Sequence, residues 1–235
     1  MRHKAVFFDV GNTLLYPHPS VEAVCVEVAS RYGYLAGLKE FSRALSVADG
    51  YYLQRYETDD SFWMDENKAV SMWVDFYELL LREVDIDGDA RMIAQAIYDE
   101  FGKTKRWKLY PDVITTFEKL KSKGIKLGII SNWDGRLPEL CLELGLSKYM
   151  EFIISSALVG RVKPQPEIFK LGLEKVGIEP ANVVHVGDHY YADILGARNA
   201  GITPVLISRE SDLNIEDSNC LVIKNLFELT KSNLF

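Results

Sequence analysis

The sequence predicts an α/β protein, in which the strands of a parallel sheet alternate with helices and a bundle of helices is inserted after the first strand. The C-terminal half alternates short apolar runs with amphipathic segments, which is typical of βαβ units. Near the N-terminus, Ala5–Phe8 is a compact apolar run that stops at a polar loop, as a buried strand does. Residues 20–103 carry helical spacing and contain no convincing strand.

The alternation predicts each element of the sheet in turn. The predicted strands are short apolar runs, and the predicted helices between them have apolar residues at helical spacing. Besides Ala5–Phe8, we predict strands over Lys126–Ile130, Glu151–Ser155, Val183–Val186, Thr203–Ile207 and Leu221–Ile223, and helices over Pro138–Leu144, Pro164–Val176, Ala192–Ala200 and Leu226–Lys231. Two prolines favour the start of the second helix, where a missing N–H costs little.

The insertion predicts four helices separated by turn-forming residues. Glycines and short polar runs interrupt the helical spacing at 33–37, 58–61 and 85–89. The predicted helices are Val21–Tyr32, Leu38–Tyr56, Lys68–Val84 and Ala90–Phe101. We therefore expect two domains, with residues 1–16 and 105–235 forming the core and residues 17–104 forming the inserted helical domain.

Composition excludes several classes of protein. The 235 residues are 48% hydrophobic and 26% charged, which is ordinary for a globular protein and argues against disorder. A net charge of −7 gives no global attraction to nucleic acid or to an anionic membrane. No apolar run approaches the roughly 18 residues of a membrane span. The dispersed cysteines Cys25, Cys141 and Cys220 lack zinc-ligand spacing and favour a reducing, cytoplasmic location.

Polar residues follow several of the predicted strands, at the edge where parallel sheets bind ligands. They comprise carboxylates, hydroxyls, two amides and one ammonium, in the segments Asp9-Val10-Gly11-Asn12-Thr13, Ser131-Asn132, Lys163-Pro164, and Gly187-Asp188 with Asp193. Neighbouring carboxylates repel one another unless a cation lies between them, and oxygen ligands of this kind suit Mg²⁺ with a substrate phosphate. A carboxylate can also attack phosphorus and form an aspartyl-phosphate.

In this order, the motifs resemble those of the haloacid dehalogenase superfamily, whose members are mostly phosphatases. The first motif has a nucleophilic Asp with a Thr four positions later, here Asp9 and Thr13. The second is a strand-terminal hydroxyl, here Ser131, and the third is a lysine, here Lys163. The fourth is the Gly-Asp pair Gly187-Asp188 with the later Asp193, followed by Gly196-Ala197. The resemblance covers essentially the whole chain.

The resemblance implies a fold and a set of roles. The fold is a Rossmann-like parallel sheet with helices on both faces, and the insertion is an α-helical cap domain. Asp9 would be the nucleophile, and Lys163 would act with it in catalysis. Thr13, Ser131, Asn132 and Lys163 would bind the phosphoryl group of a small phosphorylated substrate. Mg²⁺ would bind Asp9, the backbone carbonyl of Gly11 and Asp188, with Asp193 as a nearby ligand or a residue behind the ligands.

One position departs from the family pattern. Phosphatases of the family have a second Asp, two positions after the nucleophile, which protonates the leaving oxygen and later activates water; here that position is Gly11. A positioned acid–base group typically contributes about 10²–10⁴-fold to the rate. Substrates with good leaving groups, such as acyl or aryl phosphates, would therefore suffer least. His18 and His189 are candidate replacements, although an ordinary loop histidine is the simpler interpretation of each.

Three functions remain open from the sequence. The leading prediction is a Mg²⁺-dependent phosphatase. Metal-independent 2-haloacid dehalogenases of the family also lack the second Asp, because halide leaves without a proton, but Gly187-Asp188 argues against that activity. A catalytically weak member that binds a ligand or a protein partner is the third alternative.

Overall fold

The computed structural model describes residues 3–209 and 220–235. It contains a six-stranded sheet in the order β5-β4-β1-β6-β7-β8, in which the five strand pairs are parallel, and a separate two-stranded sheet, β2-β3. The strands are β1 (Ala5–Phe8), β2 (Leu15–Pro17), β3 (Trp107–Leu109), β4 (Lys126–Ser131), β5 (Phe152–Ser155), β6 (Val183–Gly187), β7 (Thr203–Ile207) and β8 (Leu221–Ile223). This confirms the predicted Rossmann-like α/β fold.

Ten α-helices lie in the described residues. They are α1 (Val21–Arg31), α2 (Leu38–Thr58), α3 (Glu66–Arg82), α4 (Ala90–Glu100), α5 (Val113–Ser122), α6 (Leu137–Glu143), α7 (Ser156–Val159), α8 (Pro166–Val176), α9 (Gly196–Asn199) and α10 (Leu226–Lys231). Helix α8 begins at a proline and ends before Gly177, whose φ of 63° is in the left-handed region that favours glycine.

The chain divides into two compact units, one comprising Met1–Tyr16 and Leu109–Phe235 and the other comprising Pro17–Lys108. The first unit holds the six-stranded sheet. Consecutive strand residues point to opposite faces, so Phe7 and Phe8 of β1 pack on different sides. Phe7 joins a buried cluster with Phe169 of α8, whereas the Phe8 ring lies 5.1 Å from that of Phe117 in α5. Helices therefore cover both faces of the sheet.

The second unit is helical. Helices α1 to α4 bury a shared apolar core that includes Val28, Phe41, Leu80 and Ile93. Ser20 caps α1 by accepting a hydrogen bond from the backbone N–H of Ala23, and Asp65 caps α3 in the same way. The two-stranded sheet β2-β3 lies at the two places where the chain passes between the units. None of the helices in the described residues is long and apolar enough to cross a membrane.

Some predicted element bounds were wrong in detail. The helix predicted over Ala192–Ala200 is a π-helical segment, Tyr190–Leu195, followed by the short α9. Helix α8 begins at Pro166 rather than at Pro164. The short helix α7 occupies part of what was expected to be a loop between β5 and Lys163. No prediction had been made for α5, β2 or β3.

Candidate active site

Three adjacent strands place the predicted site residues at one edge of the sheet. Strand β1 lies between β4 and β6, with Phe8 in register with Ile129 on one side and Val186 on the other. Because the strands are parallel, the residues after their carboxyl ends meet. The side chains of Asp9, Ser131 and Asp188 are consequently close together, as the strand-end argument predicted.

Asp9 has one carboxylate oxygen held and one open. Its Oδ1 accepts hydrogen bonds from Ser131 Oγ at 2.9 Å and from Lys163 Nζ at 2.6 Å. Within residues 3–209 and 220–235, no group donates a hydrogen bond to its Oδ2. Fixed donors on one oxygen orient the carboxylate, so the other oxygen is available to a ligand or a reacting atom.

Lys163 is fully enclosed, with 2% of its surface exposed. Its Nζ lies 2.6 Å from Asp9 Oδ1 and 2.6 Å from Asp193 Oδ1. Its backbone is fixed by Asn132, whose side-chain oxygen accepts from the Lys163 N–H and whose amide donates to the Lys163 carbonyl, each at 2.9 Å. Asn132 therefore orients the lysine, and its contact with the substrate phosphoryl group stays a prediction.

Asp188 and Thr13 form a second pair at the site. The Thr13 side chain is fully buried, and its hydroxyl donates to Asp188 Oδ1 over 3.4 Å. The Thr13 backbone N–H donates to the carbonyl of Gly11 at 2.6 Å, which leaves that carbonyl a second lone pair. The Thr13 hydroxyl thus contacts the Asp188 carboxylate, and its predicted role in binding the phosphoryl group stays a prediction.

The carboxylates fit a divalent cation. Asp9, Asp188 and Asp193 each present an oxygen within 4.8 Å of the others. With Lys163 charged and all three carboxylates ionised, the cluster has two negative charges in excess, which one divalent cation would balance. Oxygen ligands of this kind suit a hard cation such as Mg²⁺, which proteins usually hold through one or two carboxylates.

Among the three carboxylates of the cluster, Asp193 makes the most side-chain hydrogen bonds within the described residues. Its Oδ1 accepts from Lys163 Nζ and lies 2.8 Å from His185 Nε2, and its Oδ2 accepts from the backbone N–H of His189 at 3.1 Å. It packs against Gly187, where any side chain would collide with it. These contacts orient Asp193 toward the lysine.

Burial and mutual charge set the ionisation of the cluster. Burial raises the pKa of Asp9, an effect that Lys163 only partly offsets. Burial and repulsion by Asp9 and Asp193 raise the pKa of Asp188 to about 8. Burial alone would raise the pKa of Asp193, but Lys163 and the hydrogen bond from His185 hold it below its usual range. Burial opposes the charge on Lys163, yet Asp193 and Asp9 raise its pKa. Lys163 and Asp193 therefore form an ion pair beside the carboxyl groups of Asp9 and Asp188, whose pKa values are raised.

Gly11 borders an aromatic ring. A Cβ atom at this position would meet Trp133 Cζ3 at 3.6 Å, which is ordinary van der Waals contact. The Trp133 backbone is held by hydroxyls, since its carbonyl accepts from Ser155 at 2.6 Å and its N–H donates to Ser156 at 3.1 Å. Sequence reasoning missed Trp133, although its place two residues after Ser131 at a strand end could have indicated it.

An arginine that is only partly exposed supports the loop that follows β1. Arg209 donates to the carbonyl of Thr13 at 2.6 Å and to Asp112 Oδ2 at 2.7 Å, and its guanidinium lies 3.8 Å from the centre of the Tyr110 ring. Asp112 Oδ2 also accepts from the backbone N–H of Leu226 at 2.6 Å. No motif had indicated Arg209, because its partners are far away in sequence.

Two histidines near the site have distinct places. His189 Nδ1 accepts a hydrogen bond from the backbone N–H of Ala192, so its ring caps the π-helical segment. His185, which the sequence analysis missed, lies within β6, is fully buried and contacts Asp193. A histidine inside an otherwise apolar strand was the available signal for it.

Comparison with known proteins is consistent with this site. The chain is 36% identical over 212 residues to haloacid dehalogenase-like hydrolase domain-containing protein 3 of Danio rerio, covering 87% of this chain and 85% of that one. It is 31% identical over 219 residues to a glyceraldehyde 3-phosphate phosphatase of Methanopyrus kandleri, covering 92% and 88%.

Solved structures of HAD-type proteins also match this chain. A HAD phosphatase from Thermococcus onnurineus matches with a TM-score of 0.66 and 29% identity, covering 97% of this chain and 96% of that chain. A HAD-hydrolase from Bacillus subtilis bound to magnesium shares the fold with a TM-score of 0.80 at 19% identity, covering 98% of both chains. The family model described as haloacid dehalogenase-like hydrolase matches residues 3–201. The chain therefore belongs to the haloacid dehalogenase-like hydrolase family and is a hydrolase.

Proposed function

We propose that this hydrolase is a Mg²⁺-dependent phosphatase that acts on a small phosphorylated metabolite through an aspartyl-phosphate on Asp9. The observation that carries the proposal is the Asp9 carboxylate, whose Oδ1 is held by Ser131 and Lys163. This carboxylate also presents an oxygen within 4.8 Å of oxygens of Asp188 and Asp193. The phosphatase relatives support the reaction type.

In the first step, Asp9 Oδ2 attacks phosphorus, and the bond from phosphorus to the leaving oxygen breaks. Lys163 and Ser131 keep the carboxylate in line, and the lysine charge offsets the charge that gathers on the phosphoryl oxygens. Asp9, the Gly11 carbonyl and Asp188 would hold Mg²⁺, which supplies further charge neutralisation when bound. Asp193 orients the Lys163 ammonium, because its oxygens already accept hydrogen bonds from Lys163, His185 and His189.

In the second step, water attacks the aspartyl-phosphate, releasing inorganic phosphate and restoring Asp9. Gly11 offers no group to protonate the leaving oxygen or to activate that water. The missing group corresponds to roughly 3–5 kcal/mol of barrier. Leaving groups that are stable as anions, such as those of acyl and aryl phosphates, therefore react best, and the Trp133 ring beside Gly11 gives such a group an apolar neighbour.

Hydrolysis of p-nitrophenyl phosphate and acetyl phosphate, with Mg²⁺ or with EDTA, tests the proposal. We expect Mg²⁺-dependent turnover in the wild type and none above background in Asp9→Asn. Asp87→Asn is the matched control, because that carboxylate is 74% exposed and distant in sequence from the site. Full activity in Asp9→Asn would overturn the mechanism. Release of halide from 2-chloropropionate that persists in EDTA would favour the dehalogenase alternative, and binding without turnover on either substrate class would favour the weak-member alternative.

A further inference from the structure

A buried histidine stands behind the site without reaching it. His185 lies in the interior of β6, in register with Phe7 and Pro204, and its ring packs perpendicular to Phe169 with centroids 5.0 Å apart. None of its surface is exposed. Burying an imidazole among apolar side chains costs free energy unless its polar atoms are used. One of them is used, and it points toward the catalytic edge.

The contact fixes how the ring carries its proton. His185 Nε2 lies 2.8 Å from Asp193 Oδ1, and an ionised carboxylate only accepts, so Nε2 carries the hydrogen. Nδ1 is enclosed and has no hydrogen-bond partner among the described residues. A proton on Nε2 alone leaves only a lone pair at that unpartnered position. The His185 ring therefore acts as the hydrogen-bond donor in its contact with Asp193.

The register of β6 explains how the histidine reaches the carboxylate. His185 and Gly187 are two residues apart and share a face of the strand. Because Gly187 has no side chain, the Asp193 carboxyl fits against the strand at that point, directly within reach of the imidazole. Gly187 thus leaves space for the Asp193 carboxyl, and His185 orients that carboxyl by a hydrogen bond.

We infer that His185 is a positioning residue, which holds the Lys163 ammonium against Asp9 by fixing the Asp193 carboxylate. The chain of contacts is continuous: His185 donates to Asp193, which accepts from Lys163, which also donates to Asp9, with all three distances between 2.6 and 2.8 Å. His185 touches no reacting atom. Its effect on the reaction, which rests on the proposed phosphatase function, passes entirely through the lysine.

Two amide variants of His185 separate the effect of its hydrogen bond to Asp193 from the effects of side-chain volume and polarity. In His185→Gln, the amide nitrogen reaches about as far as Nε2 and can donate to Asp193. In His185→Asn, the same amide is one methylene shorter and reaches only as far as Nδ1. We expect His185→Asn and His185→Leu to lower kcat for p-nitrophenyl phosphate by up to about 10²-fold, the cost of misplacing a catalytic group by roughly 1 Å. His185→Gln should recover most of that loss.

A measurement of stability makes the inference independent of turnover. We would compare urea unfolding of the wild type, His185→Leu, Lys163→Met and the double variant. If His185 acts through Asp193 on Lys163, its replacement destabilises the wild type more than it destabilises Lys163→Met, because the ion pair that it orients is already gone. Additive effects of the two substitutions would overturn the inference, and so would equal kcat values for the Gln and Asn variants. Absent wild-type turnover with non-additive stability would instead count against the phosphatase proposal alone.

Discussion

The Asp193 carboxyl lies so close to the backbone of Gly187 that a Cβ atom at position 187 would be 2.1 Å from Asp193 Cγ. Gly187→Ala must therefore displace Asp193, which orients Lys163. We expect a loss of kcat on the order of 10²-fold for p-nitrophenyl phosphate, measured at saturating Mg²⁺. Gly50→Ala is the control, because a Cβ there meets nothing within 4 Å in an exposed position of α2. That variant should keep full activity and gain about 0.5–1 kcal/mol in stability.

Restoring the missing carboxyl should raise activity. Trp133 approaches the Cβ position of Gly11 no closer than 3.6 Å, so a Cβ atom fits there in ordinary van der Waals contact. We expect its largest gain, of about 10²-fold, on a phosphate ester with a poor leaving group such as β-glycerophosphate, because that group needs a proton. The gain on p-nitrophenyl phosphate should be smaller. Gly11→Asn has the same shape but no acid, and equal rates for the Asn and Asp variants would contradict the explanation.

The stability of the metal-free protein should fall as the pH rises from about 4 to about 8. Asp188 loses its proton near 3.8 in the unfolded chain but only near 8 in the folded one, so the folded state binds more protons across that interval. Urea unfolding in EDTA at several pH values measures the slope. In Asp188→Asn the slope should be smaller than in the wild type, and saturating Mg²⁺ should also reduce it. An identical slope in the variant would exclude Asp188 as its source.

The inserted helical unit contains a buried ion-pair network centred on Arg106. Its guanidinium donates to both oxygens of Glu27, at 2.7 Å each, and to Glu100 at 2.6 and 2.9 Å. Arg106→Met should lower the free energy of unfolding by about 3 kcal/mol, because it removes buried charged hydrogen bonds. Arg82→Met, which breaks a contact to Glu78 at a half-exposed site, should destabilise the protein far less than Arg106→Met. Chemical denaturation of both variants checks the difference.

Acid sensitivity should report on the same network. The hydrogen bond from Arg106 lowers the pKa of Glu27 to about 2, from 4.5 in the unfolded chain. The resulting stability is present above pH 4.5 and is lost as the pH falls toward 2. The difference in stability between wild type and Arg106→Met should therefore shrink across that interval in acid titration followed by circular dichroism. A constant difference would contradict this account.

The sheet was predictable because its strands are continuous apolar runs. Ala5–Phe8 and Thr203–Ile207 were predicted with the bounds that the structure has, since buried parallel strands leave no alternating pattern to misread. Leu221–Ile223 was also predicted with its observed bounds, although two residues of this edge strand are exposed. Strands β2 and β3 are three residues long and carry no periodic signal. Residues 192–195 of the π-helical segment Tyr190–Leu195 were predicted as the start of the helix Ala192–Ala200, because π- and α-helices differ in hydrogen-bond register rather than in amphipathic pattern.

The site was predictable to the extent that it follows strand ends. Asp9, Ser131 and Asp188 could be placed together from topology alone. Contacts that depend on side-chain direction could not: the Thr13 hydroxyl turns to Asp188, and the Asn132 amide turns to the backbone of Lys163. His185 could be predicted only as a strand residue, because its contact with Asp193 depends on the space beside Gly187 and not on its neighbours in sequence.

The anchoring of Thr13 by Arg209 has a consequence for how the site is completed during synthesis. Asp9 and Thr13 leave the ribosome almost two hundred residues before Arg209, the arginine that holds the Thr13 carbonyl. Asp112, which pairs with that arginine, also accepts a hydrogen bond from the N–H of Leu226, which is synthesised later still. A nascent chain that ends at residue 201, where the match to the family model stops, would contain every predicted site residue and still lack the support of its first loop.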